Sequence, residues 1–322
     1  MERQRYNIHL PPIRDDLAGY KYLARLTEAV LSEPQHYFVF NFSKCSVISH
    51  NGIAVIGGLC NYLKQHRLAT RRGILSIFPK LLPFDSVGFD FSTMNQKIMK
   101  RLRDVGFWNY VHPAFGIERG VDYIGYREHA EVLEDSLILD HLQDKWLSDE
   151  KLSLSAALKG VIVSSIYEIF VNAYGHGLKD NPNGQSVISC GYYEPKSKKL
   201  SLSVFDLGSG IVGSVQRVYP DKDGKTAIAW ALEMGNSTRT DSPADMPRGL
   251  GFGILKKFVA LNGGTLTVCS DEFMASIDSR GDYVVQRVPG KLLGTLVSIT
   301  VNCDDKHYKF KSEIVEDVPA YF

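Results

Sequence analysis

The sequence predicts an α/β protein, and three observations carry that prediction. Short runs of alternating apolar residues, such as 37–43 (YFVFNFS) and 201–206 (SLSVFD), recur between longer stretches with helical apolar spacing, such as 53–67 and 161–176. Glycines cluster where a strand pattern gives way to a helical one, at Gly52, at Gly208 and Gly210, and at Gly249, Gly251 and Gly253. The chain has 322 residues, more than a single domain usually holds, so two units are expected.

In the first unit, 6–10 is a short strand closed by Pro11 and Pro12, and 15–31 is a helix. The strand 37–43 sets Phe38, Phe40 and Phe42 on one side. A turn at 48–52 (ISHNG) leads into a helix whose apolar face is Ile53, Ile56, Leu59, Cys60 and Leu63. A second buried strand is expected at 73–79 and a second helix at 94–108. Residues 110–150 link the halves, with a strand at 121–128 and a charged helix at 133–149. The expected division is 1–120, a connector 121–150, a second unit 151–310 and a tail 311–322.

The second unit opens with a helix that carries Glu168, Asn172 and His176 at steps of four. Such steps drift by only about 40° around a helix, so the three side chains share one face, with Ser164 and Ser165 beside them. Val161, Ile162, Val163, Ile166, Ile169, Phe170 and Val171 make the rest apolar, so the polar line is expected to look into a pocket. A hairpin (185–193 and 200–206) ends at Asp206-Leu-Gly208-Ser-Gly210. A helix at 225–234 and a polar, proline-containing loop at 235–249 follow. Gly249, Gly251 and Gly253 then precede a helical pattern, a place where backbone N–H groups can meet an anion. Strands at 264–270, 283–288 and 294–301 complete a sheet with helices on one face.

Charge and cysteine usage narrow the function classes. Net charge is +1, with 37 basic and 36 acidic residues scattered along the chain, so nothing points to nucleic acid or to an anionic membrane. Cys45, Cys60, Cys190, Cys269 and Cys303 are widely spaced and lack a CxxC pair, so buried thiols of a reducing cytosol are expected. No apolar run is read as approaching the ~18 residues a membrane span needs, and the first residues, MERQRYNIHLPP, lack a signal peptide's apolar region. The expected setting is cytoplasmic, without membrane attachment.

The order ExxxNAxxH (Glu168 to His176), DxGxGI (Asp206 to Ile211), GxGxG before a helix (Gly249 to Gly253) and a late Gly294-Thr295 resembles the GHKL ATPases. These include gyrase-type topoisomerases, ninety-kilodalton heat-shock chaperones, histidine kinases and mismatch-repair ATPases. The first box is most similar to that of the anti-sigma-factor serine kinases. The resemblance covers roughly the C-terminal half. It implies a two-layer α/β sandwich with a mixed, mostly antiparallel sheet (the Bergerat fold) that binds ATP with Mg²⁺. Under it Asn172 is the Mg²⁺ ligand, Glu168 the base, and Asp206 the acceptor for the adenine amino group, assisted by Thr295 and a water. Gly208 and Gly210 permit close approach at the base, while Gly249, Gly251, Gly253 and Arg248 meet phosphate. Ser237, Thr238 and Arg239 in the loop are further phosphate candidates, and Lys256 and Lys257 read as surface lysines.

The N-terminal half resembles STAS domains through its strand-turn-Gly-helix spacing and the later segment RLRDVGFWNYV. Where switching members of that family carry an Asp-Ser-Ser-Gly turn, this chain has Ser49, His50, Asn51 and Gly52, so His50 stands at the phosphoacceptor place and the turn is expected to be structural. Together the resemblances imply a Mg-ATP-binding regulatory protein, a slow ATPase or nucleotide-gated switch acting on a protein partner. An anti-sigma-type serine kinase and a non-catalytic ATP-dependent scaffold are the alternatives. Analogy also allows a homodimer.

Overall fold

The computed structural model describes residues 4–71, 87–111, 124–129, 135–178, 187–233, 236, 251–277 and 280–313, with the side chains of 67–71, 176–178 and 251 excepted. It is a mixed α/β structure with one parallel and one antiparallel sheet.

The N-terminal sheet is β1 (Arg5–His9), β2 (Tyr37–Asn41) and β3 (Val87–Asp90), in that order and parallel throughout. The central strand β2, rich in aromatic and β-branched residues, buries Phe38, Val39 and Phe40. Helix α1 (Leu17–Leu31) starts where the Asp16 carboxylate accepts the Gly19 N–H at 2.8 Å. Helix α2 (His50–Arg71) begins inside the stretch 48–52 that was expected to be a turn, so His50, Asn51 and Gly52 form its first turn. The expected strand at 73–79 lies outside the described residues, and β3 was not anticipated. The single helix expected at 94–108 is two, α3 (Gln96–Asp104) and α4 (Phe107–Val111), because Gly106 takes φ +64° between them.

The second sheet runs β4-β5-β6-β8-β7: β4 (Tyr126–Glu128), β5 (Ile188–Glu194), β6 (Lys199–Asp206), β8 (Tyr283–Asn302) and β7 (Thr265–Ile277). Every pairing is antiparallel, where a mixed sheet was expected. Its edge strand β4 comes from the connector, which continues as α5 (Asp135–Asp140) and a wide π-helical turn, His141–Trp146. The two strands expected at 283–288 and 294–301 form one long β8, and the register shifts opposite Asp271 absorb Pro289 and Gly290.

Helices cover both faces of this sheet rather than one. On the first face Leu200, Leu202, Val204, Val297, Ile299 and Val301 pack under α6 (Ala156–Asn172) and α9 (Gly251–Asn262), with α7 (Gly210–Val218) and α8 (Gly224–Leu232) at one end. On the second face Ile188, Cys190, Phe205 and Leu296 join Ile53, Ile56, Leu59 and Leu63 of α2 and Leu23 of α1 in one core. Two glycines let α2 approach. A Cβ on Gly57 would stand 2.2 Å from the Tyr126 ring, and one on Gly58 2.7 Å from the Phe205 ring. Phe205 is fully buried there, a burial that contributes about 1.5–3 kcal/mol. Ser49, His50 and Asn51, at the start of α2, are buried beneath this face.

All five cysteines are free and buried. One expectation needs correcting: among the described residues the helix 156–175 is long and apolar enough to cross a membrane, with mean hydropathy 1.3. Ile162, Ile166, Ile169 and Phe170 are instead buried in the first-face core, which accounts for its greasiness.

Candidate functional site

One cleft opens between α6, the end of β6 and the middle of β8, and it collects residues from three separated motifs. Helix α6 supplies Glu168 and Asn172, β6 supplies Asp206, β8 supplies Thr295 and the start of α7 supplies Gly210. Ile169, Val204, Ile211, Val215 and Val297 contribute apolar lining, and Trp230, Asn236 and Phe252 complete it. The cleft holds about 850 Å³ of free space, its open mouth included.

Helix α6 can present Glu168 and Asn172 because Ser155 starts it, accepting the Leu158 N–H at 3.2 Å, and because Leu158, Ile162, Ile166, Ile169 and Phe170 anchor it in the core. Both side chains are half-buried. Of the flanking serines, Ser164 is exposed and Ser165 turns back to donate to the Val161 carbonyl at 2.8 Å, so neither joins the line. After Asn172 the helix widens into a π-helical turn, Ala173–Leu178, whose His176 side chain lies outside the described residues.

Asp206 is the last residue of β6 and is 6% exposed. Burial pushes its carboxyl up to about 7, against the opposing pull of hydrogen bonds from the Gly208 N–H and from Thr295. The Gly208 N–H reaches its Oδ1 at 2.9 Å, so the glycine orders the carboxylate and does not itself line the cleft. Thr295 lies opposite Asp206 in the β6–β8 register, and its Oγ accepts the Ile211 N–H at 3.0 Å. Ser270 Oγ donates to the Gly294 carbonyl at 2.8 Å and takes the Val212 N–H at 3.5 Å. The first N–H groups of α7 are therefore held by two hydroxyls of the sheet.

Gly210 and Gly294 make this convergence possible. Their φ angles are +70° and +92°, and a Cβ on Gly294 would fall 1.9 Å from the Asp206 carbonyl oxygen. On Gly210 it would fall 2.4 Å from the Gly294 carbonyl oxygen.

Of the residues singled out in the sequence, Glu168, Asn172, Asp206, Gly210 and Thr295 meet in the cleft. Gly251 begins α9 and Gly253 is buried in its first turn, and Phe252 between them faces the cleft. Arg248, Gly249, Ser237, Thr238 and Arg239 lie outside the described residues. Lys257 is exposed, and Lys256 sits 3.9 Å from Asp282 and over the Tyr283 ring. The sequence reading missed Ser214, Trp230, Asn236, Phe252 and Ser270. Trp230, an aromatic within a stretch already expected to be helical, was the one visible signal; it packs on Tyr219 with ring centroids 4.9 Å apart.

The arrangement offers a largely apolar cleft with a buried carboxylate in its lining, suited to an amino-bearing heterocycle. Glu168 and Asn172 line the same cleft, a carboxyl group and an amide, and such oxygen donors suit a hard cation that keeps most of its waters. Among the described residues no cluster of three or more His, Cys, Asp or Glu side chains could hold a metal on its own. No known family's sequence profile matches the chain, and no curated protein is significantly similar to it.

Proposed function

We propose that this chain is a Mg-ATP-binding regulatory protein, with a GHKL-type nucleotide module joined to a STAS-like N-terminal unit. The observation that carries the reading is the meeting of Asp206, Thr295, Gly210, Asn172 and Glu168, from boxes far apart in sequence, in one cleft. Asp206 accepts the 6-amino group of adenine and rejects guanine, whose oxo group offers no donor there. Thr295 holds the carboxylate in place, and Trp230 and Phe252 flank the base. The Asn172 amide oxygen is the protein ligand for Mg²⁺, and the cation would screen the triphosphate charge. Glu168, one helical turn away, takes a proton from the attacking water or hydroxyl.

Cellular use follows as part of the same proposal: a slow ATPase or nucleotide-gated switch that controls a protein partner. The five free thiols support a reducing cytoplasm. Equilibrium binding of ATP and GTP with and without Mg²⁺, followed by release of labelled γ-phosphate, tests the reading. Binding that prefers ATP and needs Mg²⁺ supports it, and absence of ATP binding at millimolar concentration sinks it. Label appearing on a second protein would make the chain a serine kinase, and binding without turnover would make it a scaffold.

A further inference from the structure

The second face of the five-stranded sheet holds a buried polar network that the nucleotide reading does not use. His50, at the start of α2 and 1% exposed, places Nδ1 2.7 Å from Ser203 Oγ and Nε2 3.3 Å from Asp15 Oδ2. Ser203 continues to Ser298 at 2.6 Å, and Thr300 donates to Asp15 at 3.2 Å and meets Ser201 at 2.9 Å. The Tyr20 hydroxyl donates to the other oxygen of Asp15, and the Tyr192 ring stands edge-on to the imidazole at 5.8 Å. A carboxylate only accepts, so Nε2 carries the proton toward Asp15 and Nδ1 faces the serine.

The same two strands reach the cleft, β6 at its end and β8 along its middle. Ser203 pairs with Ser298 in the register, and three rungs further on Asp206 pairs with Thr295, about 10 Å away. Between them Phe205 rests on the bare Gly58 of α2, while its neighbour Asp206 faces the opposite side of the sheet. Any shift of α2 therefore moves the residue next to the adenine-binding carboxylate, because a close-packed core transmits displacement.

We infer that His50 is a positioning residue for the cleft: its contacts with Ser203 and Asp15 fix α2 on the sheet, so the state of the N-terminal unit sets nucleotide affinity through β6 and β8. This rests on the proposed nucleotide function for its ligand but not for its mechanics. His50 is thus a fixed joint between α2 and the sheet.

The test uses the full chain with His50→Ala, Asp15→Asn and the conservative His50→Gln. Without nucleotide, amide exchange at Gly208 and Ile211, the two N–H groups held by Asp206 and Thr295, is compared with exchange at Ile166 and Phe170 in α6. His50→Ala and Asp15→Asn are expected to speed the first pair about tenfold relative to the second, and His50→Gln to restore most of the protection. Mg-ATP binding is expected to weaken at least about fivefold in the first two variants. Exchange at all four positions rising in step would reduce His50 to a merely stabilising residue and overturn the inference, as would unchanged exchange. If His50→Ala does not fold, Ser203→Ala, which removes the hydroxyl's bonds to His50 and Ser298 and leaves the imidazole in place, decides by the same comparison. Should the wild type bind no ATP, the nucleotide reading falls and the exchange data alone judge the coupling.

Discussion

Asp206 and Thr295 face one another across a single rung between β6 and β8, and the Thr295 hydroxyl at the same time receives the Ile211 N–H at 3.0 Å. One threonine thus joins the strand end, the neighbouring strand and the first turn of α7. The geometry leaves a buried carboxylate whose ordinary partners are too few to keep it fully charged at neutral pH, which is an arrangement that stores a demand for a ligand donor.

Replacing Asp206 by Asn should stabilise the free protein in alkali and abolish nucleotide binding. The folded carboxyl titrates near 7, above its ordinary 3.8, so the stability it contributes is complete below about pH 4 and is lost as pH rises through 7. Above that the wild type forgoes roughly 4 kcal/mol, which the neutral amide does not. Urea midpoints of both proteins at pH 5 and pH 8 check this, and parallel pH profiles would refute it.

Nucleotide affinity should depend on pH in the opposite sense. A bound amino donor favours the ionised Asp206, so binding releases a proton below about pH 7. The dissociation constant for Mg-ATP is expected to rise about fivefold between pH 7 and pH 6 and to level off above pH 8. Calorimetry in two buffers of different ionisation enthalpy would detect the released proton. A flat profile would remove Asp206 from the ligand.

Much of the cleft was legible because its chemistry is local in sequence. Glu168 and Asn172 are one helical turn apart, and Asp206, Gly208 and Gly210 follow a strand at once, so spacing alone groups them. Helix α7 was not read because GIVGSVQRV is short, carries two glycines and follows a turn signal. The joined β8 was hidden by Pro289, Gly290 and Gly294, which punctuate a strand that in fact bends through them. Ser201, Ser203, Ser298 and Thr300 alternate with apolar residues and give no sequence signal of an interior, which only long-range contacts with Asp15 and His50 create.

Asp15 should hold part of the fold's stability against acid. Burial raises its carboxyl, but the His50 imidazole and hydrogen bonds from His50, Tyr20 and Thr300 outweigh this and hold it at about 2. A depressed acid contributes stability above its unfolded value near 4 and loses it as pH falls through 2. Asp15→Asn is therefore expected to cost roughly 2 kcal/mol at pH 7 and almost nothing at pH 2. Denaturant melts at both values test it, and an equal loss at each would show that shape rather than charge matters.

Trp230 should report and strengthen base binding. The chain has three tryptophans, and Trp108 and Trp146 are buried at 1% and 0% exposure while Trp230 borders the cleft half-buried. A base entering between Trp230 and Phe252 alters the surroundings of Trp230 alone, so ATP should change the emission of the wild type and leave that of Trp230→Phe almost unchanged. Stacking of a base on an aromatic ring is worth about 1–3 kcal/mol, so Trp230→Ala should weaken ATP binding between about fivefold and a hundredfold. Trp230→Phe should keep most of the affinity, because a ring remains to stack. Equal affinity in Trp230→Ala and wild type would place the base elsewhere in the cleft, away from α8, and would detach the tryptophan from recognition altogether.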